Sequence, residues 1–198
     1  MHIELTDHLR CPTDHVEQFL VLLPGESSDR SVLTGDLGCP VCGRVVRLTE
    51  GIADFGGGVA STGITALGAE AVAAFLGIAG PGGYVALAGG VTSIAPKLEQ
   101  LLPGVRLALI NPPPGTSDSP EASVLRAGRL PLKTGSMRGV VLGSDAARPA
   151  WVADAIRAVL PGLRVVGEGG QPPEAGVELL AQAEGCWIGR KSPPRRDG

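Results

Sequence analysis

The sequence predicts an α/β protein: a mostly parallel sheet with helices on both faces, preceded by a small β module held together by a metal ion. Three observations carry this. From residue 66 to 191, short apolar runs such as YVALA, RLALI and GVVLG alternate with stretches of helical spacing, the pattern of a parallel sheet with crossover helices. Three of the four cysteines fall within residues 11–42. Between the two regions lies GGGVASTG, residues 56–63, whose composition suits a connector.

Bulk properties narrow the function. A chain of 198 residues fits one ordinary domain plus a small one. With 43% hydrophobic and 19% charged residues it can build a core. The 30 glycines and 17 prolines show no collagen period and imply many turns. Aromatic residues are only 3%, too few for the stacking platforms of single-stranded nucleic-acid binders. Residues 1–55 carry nine acids against four bases, a balance unsuited to gripping a phosphate backbone, so nucleic acid is not indicated. The start, MHIELTDHLRCP, lacks a signal pattern. The longest uncharged run, Ala71 to Pro96, is interrupted by six glycines and two prolines, unlike a span of roughly 20 apolar residues. A soluble, cytoplasmic protein is expected, with no membrane partner. The basic tail, residues 192–198, reads as a disordered end.

In the first module, CPVCG is a knuckle: Cys39 and Cys42 with Gly43 to close the turn. CPTDH opens in the same way at Cys11, but Asp14 stands where a second cysteine would. A tetrahedral zinc ion needs four ligands. Cys11, Cys39 and Cys42 supply three; His15 and Asp14 are the candidates for the fourth. Thiolate–imidazole sites are the commoner kind, so His15 is the expected ligand and Asp14 an outer acceptor or turn residue. VEQFLVLLP and RSVLTGDLG read as a hairpin, and VVRLTEGIADF as a third strand. A module this small, with few large apolar groups, needs such a staple. The stretch LRCPTDH…LGCPVCGRVVRLTEGIADF resembles the zinc-ribbon family of small methyltransferase activator subunits. That resemblance covers residues 1–55 and implies a structural zinc and a protein partner, or self-association, through strand addition at the ribbon.

In the second region, ALGAEAVAAFLG reads as a helix, YVALAGG as a strand, SIAPKLEQLLPG as a helix and VRLALINPPP as a strand. SVLRAGRLPL and MRGVVLGSD are further strands. RPAWVADAIRAVLPG is a helix, with Trp151, Val152, Ala155, Ile156, Val159 and Leu160 on one stripe. LRVVGEG is a strand and VELLAQAEGCWIGRK a final hairpin. In such a sheet ligands bind beyond the carboxyl ends of the strands, where strand order reverses. The loops after Leu87, Ile110 and Leu142 would therefore surround a pocket.

The order of YVALAGG, RLALINPPP, LPLKTGSMRGVVLGSD and AIRAVLPGLRVVGEG resembles that of class I S-adenosylmethionine-dependent methyltransferases. The resemblance implies a Rossmann-like methyltransferase sheet over residues 64–191 behind the N-terminal zinc ribbon. It also implies cofactor contacts at Ala88, Gly89, Gly90 and Asn111. The departures are specific. The acid before the family's glycine loop is here Ala86, the ribose-binding acid is Asn111, and the acid opening the fourth-strand segment is Arg138. Losing a charged acceptor costs about 1.5–3 kcal/mol, so two losses weaken binding by roughly two to four powers of ten. Asp145 reads as a cap for the helix near Arg148. Ser136 and Ser144 lack a partner base, because all three histidines lie within residues 2–15. No catalytic residue is assigned. The expectation is a non-catalytic methyltransferase-like scaffold or partner subunit, with S-adenosylmethionine in doubt. The alternative is an active methyltransferase on RNA or protein, its ribbon recognising the substrate.

Overall fold

The computed structural model describes residues 1–173 and 175–193; most of the expected tail, from residue 194 on, lies outside them. The first module opens with a 3-10 turn, Ile3–His8. Its strands are β1 (Val21–Pro24), β2 (Ser27–Ser28), β3 (Ser31–Val32), β4 (Gly35–Gly38), β5 (Val45–Thr49) and β6 (Ile52–Asp54). The expected hairpin is present as β1 against β4, with β2 and β3 forming a separate ladder at its tip. The stretch read as one third strand is two. Glu50 and Gly51 take φ of 52° and 78°, the twin positive values of a tight hairpin turn, and β5 returns as antiparallel β6.

The second region runs α1 (Ala69–Leu76), β7 (Tyr84–Ala88), a 3-10 turn (Gly89–Ile94) leading into α2 (Ala95–Leu101), β8 (Arg106–Ile110), β9 (Ala122–Arg126) and β10 (Met137–Leu142). Then come α3 (Pro149–Ala158), β11 (Val159–Glu168), β12 (Val177–Ala183) and β13 (Cys186–Lys191). α3 stops before the expected VLPG, because Pro161 disfavours helix at the residue before it and Val159 pairs with Met137 instead.

One sheet contains both regions, in the order β1-β4-β5-β6-β9-β8-β7-β10-β11-β13-β12. Counting from β7, the parallel part reads 3-2-1-4-5, the doubly wound order, reversing between β7 and β10. The fold is thus mixed α/β with a Rossmann-like sheet. The two regions are joined where β6 lies parallel to β9, Ala53 beside Leu125 and Asp54 beside Arg126.

The helix–strand alternation fails at two places. No helix follows β8 or β9; residues 111–121 and 127–136 are irregular. Pro112, Pro113, Pro114 and Pro120 suppress helix in the first. The N-terminal segment covers the face left bare. Met1, Leu5 and Leu9 are fully buried in one cluster with Ile110, Leu125 and Leu132, each apolar side chain adding roughly 2 kcal/mol on burial. Leu9 bridges Leu132, and Arg10 N–H donates to Pro131 O at 3.0 Å. Polar contacts fix the same junction. Glu17 accepts from Arg10, Arg157 and the Thr134 backbone, while buried Asp154 pairs with Arg129 and Arg157. α1 and α2 cover the opposite face over Leu87, Leu107 and Val141.

At the far edge, Gly167 makes room for the Trp187 indole, which is 1% exposed and donates to Gly169 O at 3.2 Å. A methyl group there overlaps the ring. Gly167→Ala should lower unfolding free energy by about 2 kcal/mol in urea titration; an unchanged midpoint would show that the edge hairpin tolerates the shift.

Candidate metal centre and ligand crevice

The structure brings Cys11, His15, Cys39 and Cys42 together, with one donor atom from each lying within 4.8 Å of the others. Cys11 Sγ is 3.6 Å from Cys42 Sγ, and Cys39 Sγ is 3.4 Å from His15 Nε2. A tetrahedral ion with metal–sulfur bonds of about 2.3 Å separates two sulfurs by roughly 3.8 Å and a sulfur from a nitrogen by slightly less. The donor set and its spacing fit such an ion. Gly43, at φ 69°, closes the knuckle, and its N–H donates to Cys39 O at 3.0 Å.

The environment tunes the donors. Donation from the Arg44 backbone N–H, helped by Cys39, Cys11 and His15, holds the Cys42 thiol down to about 6 against a desolvation push. His15 Nδ1 lies 2.7 Å from Val16 O. Donation there raises the His15 pKa and leaves Nε2 as the lone pair aimed at the cluster. Asp14 is exposed and is not among the four.

At the carboxyl end of β7 the expected crevice is closed. Gly89 and Gly90 are buried, Gly89 at φ 78°. The end of the connector covers Gly90, where a Cβ would strike the Ile64 carbonyl, while Asp145 and Ala146 cover Gly89; a Cβ on Gly63 would meet Pro113 Cγ at 2.8 Å. Ser61 N–H donates to Asn111 O at 3.1 Å. The stretch that composition marks as a loose linker is a strap over the glycine loop.

Asn111 is committed as well. Its φ is 54° and it is 7% exposed. Its amide donates to Ala127 O at 2.8 Å and accepts from Ala127 N–H at 2.9 Å. Gly58 packs so closely on it that a Cβ would sit 2.6 Å from Oδ1. Ala88, Gly89, Gly90 and Asn111 therefore lie together at the carboxyl ends of β7 and β8; the two glycines face the protein's own chain, and Asn111, its amide taken by Ala127, borders a hollow of about 370 Å³. An adenosyl group does not fit these residues as arranged.

Two expectations need correction. Asp145 does not cap α3, whose first turn has no side-chain cap; its carboxylate accepts from Gly90 N–H at 2.9 Å, because the β10 loop runs directly over the glycine turn. Arg138 is not a pocket residue. It starts β10, at the opposite end of the strand, and donates to the carbonyls of Ala79, Gly80, Pro81 and Gly82, tying down the turn before β7.

Glu168 is not among the residues that the sequence motifs single out. It ends β11, is 8% exposed, and accepts from Thr65 Oγ1 at 2.8 Å, Ala66 N–H at 2.5 Å and Ser144 N–H at 3.3 Å. It latches the strap. The available signal was a carboxylate ending an apolar strand on the ligand side. Its charge also joins desolvation, the larger cause, in raising the half-buried Cys186 thiol.

No protein-family model and no curated protein matches the sequence. Solved structures resemble it at low identity. The geranyl diphosphate C-methyltransferase of Streptomyces coelicolor A3(2) is 16% identical over 50% of this chain and 43% of that one, with a TM-score of 0.44. A putative methyltransferase from an antibiotic biosynthesis pathway of Anabaena variabilis ATCC 29413 is 15% identical over 50% and 43%, at 0.42. The antibiotic-resistance methyltransferase Kmr is 12% identical over 69% of this chain and 98% of that one, also at 0.42. The matched part thus spans less than half the length of the first two. At such scores neither activity nor substrate transfers. No helix among the described residues is long and apolar enough to cross a membrane.

Asn111→Ala should strand the buried Ala127 N–H and C=O and cost about 2–3 kcal/mol of stability, read by urea unfolding. Asn111→Asp reinstates an acid but sets its charge against the Ala127 carbonyl; it should also destabilise, and should create no S-adenosylmethionine binding in calorimetry.

Proposed function

We propose that this is a non-catalytic methyltransferase-like protein, a scaffold or partner subunit whose N-terminal zinc ribbon is built into its sheet. The observation that carries this reading is the strap. Ile64 lies over Gly90 and Asp145 over Gly89, Glu168 latches Thr65 and Ala66, Gly58 packs on Asn111, and the Asn111 amide is spent on Ala127. Opening the site means breaking the buried Glu168 contacts and exposing a carboxylate to an emptied cleft, with no acid at Ala86 or Asn111 to receive a cofactor.

In the ribbon, Cys11, His15, Cys39 and Cys42 would hold zinc. The ion would supply no reaction here; it would neutralise the thiolates and cross-link two loops. With four protein donors in reach, no ligand position is left open for substrate. The ribbon is also where a protein partner, or a second copy, would engage.

Two measurements on the purified full-length chain test this. Elemental analysis should find one zinc per chain, and Cys42→Ser should remove it and lower the melting temperature. Isothermal titration with S-adenosylmethionine should give no heat of binding at millimolar ligand. Micromolar affinity would sink the non-catalytic reading while leaving the zinc assignment standing, and absent zinc would do the reverse.

A further inference from the structure

The two faces of the long sheet are covered unequally. One is packed from the ribbon through to α3. On the other, α1 and α2 cover the strands from β8 across to β11, and the ribbon strands are bare. Val21, Leu23 and Val45 are 43%, 64% and 57% exposed.

Register orders the charges on this bare face. Asp36 lies opposite Arg47, Arg47 opposite Asp54, and Asp54 opposite Arg126. Residues directly opposite across a sheet project on the same side. The four therefore form one row across β4, β5, β6 and β9, alternating acid, base, acid, base over roughly 14 Å at about 4.8 Å per strand. None joins an ion pair among the described residues. Leu23 extends the row at the β1 end. At the β9 end, Asp54 and Arg126 face a hollow of about 370 Å³ walled by Pro112, Pro113 and Pro114.

An alternating row with an even number of charges is complementary to its own reversal. We propose that this face docks a second copy of the chain, about a two-fold axis parallel to the strands between β5 and β6. That operation sets Asp36 against the other copy's Arg126 and Arg47 against its Asp54, giving four opposed pairs in all. It also brings Leu23 onto the other copy's proline wall. The alternative in-plane axis, along the row, places every charge against itself and is disfavoured. The occupant is thus selected by the charge pattern, and the apolar residues around it lose their exposure. The inference rests on the reading that the ribbon engages a second copy, and is independent of the non-catalytic reading.

Sedimentation velocity of the full chain across micromolar concentrations tests it. The wild type should reach twice the chain mass at the upper end, and its association should weaken with added salt. Arg47→Asp and Asp54→Arg should each weaken association by roughly tenfold or more. Mixed in equal amounts, the two variants should recover the dimer, because each then meets an opposite charge. Far-UV circular dichroism verifies folding; should either variant unfold, Asp36→Arg and Arg126→Asp replace the pair. A wild type that stays monomeric throughout, or single variants that dimerise like it, would overturn the proposal, as would a mixture that fails to recover.

Discussion

Ala53 and Asp54 of β6 lie in parallel register with Leu125 and Arg126 of β9, and the molecule is arranged around that short ladder. It makes one sheet of two regions that composition separates. Without it the ribbon would be a four-stranded flap and β9 an unprotected edge, with backbone groups open to chance pairing. With it, the apolar face Leu22, Leu37, Val46, Leu48 and Ala53 runs on into Leu125 and Ile110 as one core. The 3-10 turn at the start of the chain then lies over the strands of the second region and takes the place of a helix.

Local pattern revealed much of this. The all-buried runs YVALA and RLALI are too short and too apolar for anything but central strands, and the amphipathic stripe of α3 is plain. The knuckle at Cys39 and Cys42 needs only its own spacing to be recognised. What stayed hidden is long-range. Nothing in MHIELTDHL says that Met1, Leu5 and Leu9 belong beside Leu132. Nothing in EGI announces a hairpin, because Glu at positive φ is an uncommon choice.

The ligand crevice is only partly legible for the same reason. Asn111 in place of an acid suggested weakened binding, which treats the cleft as open. Its amide instead completes a backbone pair with Ala127, sixteen residues on, and the glycine loop is roofed by residues that read as a flexible tether. Small side chains at 56–63 permit close approach as readily as freedom, and only tertiary structure separates the two. Arg138, counted among the pocket's missing acids, is a loop clamp at the other end of its strand.

The N-terminal segment has a consequence for how the chain reaches this state. His2 meets Tyr84 and Ser123, Leu9 meets Leu132, and Glu17 meets Thr134. On the ribosome, the first twenty residues therefore emerge long before their partners exist, so their hydrophobic side chains must wait. Closing loops of over a hundred residues is an entropic toll levied before any reward. Assembly is expected to be slow and late at this end, with the nascent segment exposed to chaperones in the meantime.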